Sequence, residues 1–214
     1  MNTINISDEV SSRIENILIV GDSITEGYNS DPGLDWVTLL GIRMKQDWDQ
    51  ISIKNAGLAG YTSSQVLNEE LIPNISYATQ ICIVQCGTND TRIDLRIDND
   101  ETKQNLKKII RLIKSVNAVP VLLTLTPIEK QVNVTFPDAY NDVSISRVQQ
   151  INAIIRALCS KEKIICADVA KAFKKGSNLI SEDHLHPNNR GHRLISNIVY
   201  TELMRSSRSN YGLS

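Results

Sequence analysis

Thr79-Gln80-Ile81-Cys82-Ile83-Val84-Gln85-Cys86-Gly87 is an apolar run closed by a glycine. Continuous apolarity over about four to eight residues, with no polar alternation, marks a strand buried on both faces, as in a parallel sheet with helices on each side. Similar runs lie to either side of it in the chain: NILIVG at 16–21, VPVLLTLTP at 119–127 and KIICADV at 163–169. A brief fifth candidate, ISIKN, occupies 51–55.

The segments between these runs carry a different period. Trp36, Leu40, Met44 and Trp48 recur every four residues, one face of a helix. Thr62 and Gln65 have capping-box spacing, and the helix they open is expected to end near Pro73, because the residue before a proline is pushed out of the α region. Asp98 and Glu101 offer a second box, followed by Leu106, Ile109, Ile110 and Ile113 at helical spacing, with Lys103, Lys107, Lys108, Arg111 and Lys114 as its solvated face. Val148, Ile151, Ile154, Ile155 and Leu158 mark a further helix, and a last one is expected from about Pro187 to Met204 with Leu194, Ile195 and Ile198 inward. Five strands alternating with helices, with no hairpin signals, imply right-handed crossovers. The class is α/β, a three-layer α/β/α sandwich around a parallel sheet.

The chain has 214 residues, 41% of them apolar, with 10 Gly and 6 Pro, which predicts a single globular domain over 1–214 with its core at about 16–204. Collagen-like, disordered and disulfide-scaffold classes are excluded. With 23 Lys and Arg against 24 Asp and Glu, the net charge of -1 gives no overall field that would gather nucleic acid or anionic membrane, so neither is expected as a partner. Residues 1–16, MNTINISDEVSSRIEN, lack the basic start and apolar run of an export signal, and no stretch of about 18 apolar residues occurs. A soluble, cytoplasmic protein is expected. Cys82, Cys86, Cys159 and Cys166 are then reduced, and read as small buried hydrophobes ahead of disulfide partners or metal ligands.

In open parallel sheets, ligands sit beyond the carboxyl ends of the strands. Strand one runs into Gly21-Asp22-Ser23-Ile24-Thr25-Glu26-Gly27, which places the Ser23 hydroxyl at that edge. Asp22 and Ser23 also suit a helix cap. The segment lacks the phosphate-loop and dinucleotide fingerprints and the GxSxG elbow. A serine needs a base, and the histidines are His184, His186 and His192, within SEDHLHPNNRGHR. Asp183 precedes His186 by three residues, close enough to hold the tautomer that frees the other ring nitrogen. A metal reading of Asp183, His184, His186 and His192 competes with this. Acyl chemistry also needs oxyanion donors. Asn55 to Thr62 after strand two supplies glycine N–H groups, and Gly87-Thr88-Asn89-Asp90 after strand three supplies an asparagine amide.

The blocks Gly21-Asp22-Ser23, Asn55 to Gly60, Gly87-Thr88-Asn89-Asp90 and Asp183-His184-Leu185-His186-Pro187, in this order, resemble those of the SGNH hydrolases, also called the GDSL esterase and lipase family. The resemblance covers 16 to about 204, and departs only in reading GDSI where the family name has leucine. It implies a flavodoxin-like five-stranded sheet of order 2-1-3-4-5 and ester hydrolysis through an acyl-enzyme. Ser23 would be the nucleophile, His186 the base and Asp183 its orienting acid. The oxyanion hole would comprise the Ser23 and Gly60 N–H groups and the Asn89 amide. No cofactor and no metal are implied.

The long connection 127–142 borders the site, where Phe136 and Tyr140 could line a pocket or anchor the loop. With no amphipathic lid evident, short-chain acyl esters, acetyl included, of small molecules or sugars are the expected substrates. Lysophospholipid or thioester hydrolysis and acyl transfer on the same triad are alternatives, and a binding module without catalysis is the rival class.

Overall fold

The computed structural model describes residues 15–48, 50–77 and 80–209. The amino-terminal stretch assessed for an export signal lies outside them up to Ile14, as does Thr79. Five strands, β1 (Asn16–Gly21), β2 (Ser52–Asn55), β3 (Ile81–Gln85), β4 (Val119–Leu123) and β5 (Ile165–Ala167), form one sheet of order β2-β1-β3-β4-β5. All four pairings are parallel, so every strand ends on the same edge. This is the flavodoxin-like order.

Why the runs are continuous is visible in the packing. Ile17 and Ile19 of β1, Ile81 and Ile83 of β3, and Val121 and Leu123 of β4 meet one helical layer, while Leu18, Val20, Cys82, Val84 and Leu122 meet the other. Strand alternation thus directs apolar residues into two cores rather than into core and solvent. One layer holds α2 (Trp36–Met44), α8 (Val169–Phe173) and the last helix, α9 (Asn189–Ser209), with Trp36, Leu40, Met44, Val169, Phe173, Ile195, Val199 and Leu203 buried. The other holds α5 (Asn99–Ser115) and α7 (Asp142–Glu162), through Leu106, Ile109, Ile110, Ile113, Val148, Ile151, Ile155 and Leu158. Among the described residues no helix is long and apolar enough to cross a membrane. The four cysteines are free thiols, three buried and Cys166 half-buried.

Several boundaries differ from the sequence reading. The strands stop short of the apolar runs, because Cys86 and Leu125 are buried under helices after the ladder has ended. Trp48 lies past the end of α2. Thr62 does form a capping box with Gln65 at the start of α3 (Ser63–Gln65). The α-helical path does end near Pro73, but not for the reason expected: the chain passes through a π-helical turn, Val66–Leu71, into α4 (Ile72–Asn74), which stops one residue past the proline, and Ile72 before it keeps α-region angles. The Ile72 N–H reaches back five residues to Leu67 O, so the ladder is already widened where the proline enters. Asp98 caps α5 by accepting the Glu101 N–H at 2.7 Å. Pro187 pairs with Ile180 in an isolated bridge, and α9 starts two residues later.

Candidate active site

β1 delivers the chain into a four-residue helix, α1 (Ser23–Glu26), capped by the wholly buried Asp22, whose Oδ1 accepts the Ile24 N–H at 3.0 Å. Capping by Asp22 and an active role for Ser23 are therefore compatible, since the cap fixes the turn from which the Ser23 hydroxyl projects. Ser23 Oγ lies 2.8 Å from His186 Nε2, and His186 Nδ1 lies 2.6 Å from Asp183 Oδ2. Asp183 Oδ1 accepts the backbone N–H groups of Leu185 at 3.0 Å and His186 at 2.9 Å. Burial pushes the Asp183 carboxyl up, yet these bonds and the imidazole outweigh it and hold the group below the usual carboxylate range. An ionised acceptor at Nδ1 keeps the ring proton there and turns the Nε2 lone pair to the Ser23 hydroxyl.

The segment after β2 folds back over α1. Asn55 Nδ2 donates to Thr25 O at 2.8 Å, the Leu58 N–H to Gly21 O at 3.0 Å, and the Ala59 N–H to Glu26 Oε2 at 2.7 Å. Gly57 permits this approach, because a Cβ there would come within 2.8 Å of the Glu26 nitrogen. Gly60 then takes φ +81°, the left-handed region that glycine enters freely. Among the described residues neither its N–H nor that of Ser23 has an acceptor.

Asn89 opens a short 3₁₀ turn, Asn89–Thr91, after β3. Its Nδ2 donates to Tyr61 O at 3.0 Å, one residue beyond Gly60, and Tyr140 Oη donates to its Oδ1 at 2.9 Å. The two bonds fix which way the amide faces and leave one of its N–H groups unused. Asp90 ties this turn to α3 and α5 by accepting the Ser63 N–H at 2.8 Å, the Ser63 hydroxyl and the Thr102 hydroxyl at 3.0 Å. Of the two roles open for Tyr140, the structure supports the anchor: it is buried, with Phe136 edge-on at 6.2 Å.

The other two histidines go elsewhere. His184 has φ +62°, so the Asp183–His186 stretch is a turn rather than extended chain, and its Nδ1 meets Glu129 Oε2 at 2.9 Å. His192 is fully buried, accepting the Trp36 N–H on Nδ1 at 3.3 Å and donating from Nε2 to Tyr28 O at 3.2 Å. Among the described residues no three His, Cys, Asp or Glu side chains are grouped to hold a metal ion.

The family model for GDSL-like lipases and acylhydrolases matches residues 19–194. The chain belongs to this GDSL-like lipase/acylhydrolase family. Thioesterase 1/protease 1/lysophospholipase L1 of Escherichia coli (strain K12) is 30% identical over 112 residues, 52% of this chain and 51% of that protein. The chain thus spans about half the length of the curated relatives it matches. A lipolytic protein of the G-D-S-L family from Veillonella parvula has a TM-score of 0.71 at 22% identity, over 88% of this chain and 98% of that one. A catalytic mutant of an acetylxylan esterase from Geobacillus stearothermophilus has a TM-score of 0.70 at 19% identity, over 88% and 94%. At such identities these structures speak for the fold alone.

Beneath the GDSL-family serine lies a feature with no signal in the sequence pattern. Glu70, in the π-helical turn, is buried and its Oε2 accepts the Gly21 N–H at 2.8 Å. Burial raises Asp22 to about 7, with the Asp90 carboxylate adding to the rise, and Glu70 to about 8, with Asp22 adding to its rise. A carboxyl whose folded pKa exceeds its unfolded value stabilises fully below the unfolded pKa, and that stability is lost as pH rises through the folded pKa. For this pair the loss runs from about pH 4 to about 8. His192, lowered by burial, works in the opposite direction only below its unfolded value of 6.5. Between pH 6.5 and 8.5 the wild-type Tm is therefore expected to fall by about 5 °C, and that of Glu70→Gln, which keeps an acceptor for Gly21, by about a third as much. Thermal unfolding across this range checks it; equal slopes in both proteins would rule out a buried titrating Glu70.

Proposed function

We propose that the chain is a serine ester hydrolase working through an acyl-enzyme, with Ser23 as nucleophile, His186 as general base and Asp183 as the acid that orients it. The observation carrying this reading is the unbroken hydrogen-bond line from Ser23 Oγ through His186 at 2.8 Å to Asp183 at 2.6 Å. His186 Nε2 takes the hydroxyl proton as Oγ attacks the ester carbonyl, and Asp183 stabilises the resulting imidazolium. The imidazolium then protonates the leaving alcohol. Water, deprotonated by the same nitrogen, releases the acid and restores Ser23. The unused N–H groups of Ser23, Gly60 and Asn89 form the oxyanion hole in this scheme.

The Asn89 assignment has its own test. Asn89→Ala is expected to lower kcat by about 10²- to 10³-fold while KM stays within a few fold, since the amide serves the tetrahedral oxyanion more than the ground-state carbonyl. Tyr140→Phe removes only the hydroxyl that aims this amide, and about a tenfold loss in kcat is expected. Steady-state kinetics check both; an Asn89 variant altered in KM alone would make it a binding residue.

Short-chain acyl esters, acetyl to butyryl, of small molecules or sugars are the proposed substrates. The connection after β4 supports this: its only helix, α6 (Val132–Thr135), has four residues, too few for an amphipathic lid, and buried Val132 and Tyr140 pin it down. A second reading, hydrolysis of longer acyl chains or thioesters, draws support from Leu58, Ile93 and Leu95, which are 44, 36 and 41% exposed on the loops after β2 and β3. Each added methylene can contribute about 0.8 kcal/mol only where such surface buries it. p-Nitrophenyl esters from acetyl to palmitoyl, with sugar acetates, decide between them: rates highest at two to four carbons are expected, and a steady climb to palmitoyl would overturn the short-acyl reading.

A further inference from the structure

The carboxylate that holds the imidazole has another side-chain donor. Asn29 Nδ2 lies 2.6 Å from Asp183 Oδ2, the same oxygen that His186 Nδ1 meets at 2.6 Å. Asp183 Oδ1 is engaged by two backbone N–H groups of its own turn. Asn29 thus reaches the oxygen on which the imidazole depends, from a segment 154 positions away.

The segment carrying Asn29 is pinned on both sides. Tyr28 O accepts from His192, and the Tyr28 ring lies 4.6 Å from the His186 ring at 49°. Ser30 Oγ donates to Gly27 O at 2.7 Å. Asp31 and Asn189 clasp reciprocally, the Asp31 N–H to Asn189 Oδ1 at 2.9 Å and Asn189 Nδ2 to Asp31 Oδ2 at 2.6 Å. Between these pins Asn29 sits at φ +63°, a left-handed conformation that asparagine tolerates better than most residues. Conformations of this kind persist where the surroundings over-determine them.

We infer that Asn29 is a positioning residue of the hydrolytic centre, dividing the charge of Asp183 Oδ2 between its own amide and the His186 imidazole and so setting how strongly Asp183 supports His186 as a base. The inference rests on the serine-hydrolase reading proposed above. A donor on a carboxylate stabilises its charge and weakens its pull on any other proton. Without the Asn29 amide, Asp183 binds the Nδ1 proton more tightly, the imidazolium gains stability, and His186 stays protonated to higher pH. The ring also loses a fixed seat for its partner. Other ionisable groups around the pair remain in every variant: Tyr28, Asp31 and Asp35 from the 27–35 segment, His192 from α9, Glu129 after β4, and Glu182 and His184 from the turn itself.

Two variants separate this role from that of a loop pin. Asn29→Gly removes the amide at a position where glycine keeps the backbone without strain. Asn29→Asp keeps the shape and places a second carboxylate against Asp183. With p-nitrophenyl acetate, Asn29→Gly is expected to lose about tenfold in kcat with KM within twofold, and the acid limb of kcat/KM is expected to move about half a pH unit higher. Asn29→Asp is expected to move the limb further in the same direction. Fluorophosphonate labelling of Ser23 in the wild type is run alongside. Labelled, active wild type with an unmoved limb in Asn29→Gly overturns the role of Asn29 alone; unlabelled, inactive wild type overturns the hydrolase reading and this inference with it.

Discussion

Ser23→Ala folds normally and loses esterase activity by roughly 10⁴ to 10⁶ in kcat. In the proposed scheme the hydroxyl oxygen becomes covalently attached to the acyl group, so its removal leaves only substrate binding and the oxyanion donors, which account for a residual acceleration of about 10³ to 10⁴ over water in enzymes of this type. Little stability is at stake. Asp22, not Ser23, caps α1, and the Ser23 backbone is held by the Gly27 and Tyr28 N–H groups donating to its carbonyl at 3.0 and 2.9 Å. Urea unfolding and turnover of p-nitrophenyl acetate, measured on the same preparation, check both halves of the expectation. Retention of more than about a tenth of wild-type kcat would remove Ser23 from the chemistry.

His186→Ala is expected to lose activity on the same scale, whereas His184→Ala keeps kcat within about threefold. The two residues share a turn and a side-chain type, but only His186 bridges Ser23 to the half-buried Asp183 carboxylate. His184 meets Glu129 near the surface, where the side chains are 30 and 47% exposed, and such a pair contributes little. EDTA leaves the wild-type rate unchanged in this scheme, since no step passes through a metal. Equal inactivation by both substitutions and by EDTA would favour the metal reading of the Asp183–His192 segment.

How much of the molecule is legible in its sequence depends on the range of each interaction. Runs such as Ile81 to Val84 are legible because double-sided burial demands continuous apolarity, and Asp183 with His186 because their partnership spans three residues. Strand order came from the resemblance, not from any run. The helix end near Pro73 was legible, but the exclusion of Ile72 from the α region was not met, because that rule describes an α-helical ladder and a π turn had widened the ladder beforehand. An extended stretch would set His184 beside His186, but a positive φ at His184 turns the two apart. Asn29 left no trace, and Tyr140 only an open choice between pocket wall and anchor, with nothing to show that it reaches Asn89: each acts through one polar atom from an irregular segment, on a partner 154 or 51 positions away. No periodicity marks such contacts. Glu70 was hidden differently, a charged residue amid Val66, Leu67 and Leu71 that reads as surface and is buried.

The 163 positions between Ser23 and His186 also set a clock. At ribosomal rates of about 5 to 20 residues per second, β1 and α1 exist for about 8 to 33 seconds before the turn bearing Asp183 and His186 is made. The clasp between Asp31 and Asn189 joins the earliest and latest parts of the fold, so the serine meets its base only once α9 has begun to dock. In the proposed scheme a nascent chain carrying Ser23 is thus inert toward esters until the turn bearing His186 is made, and hydrolytic capacity arrives in one step as α9 docks.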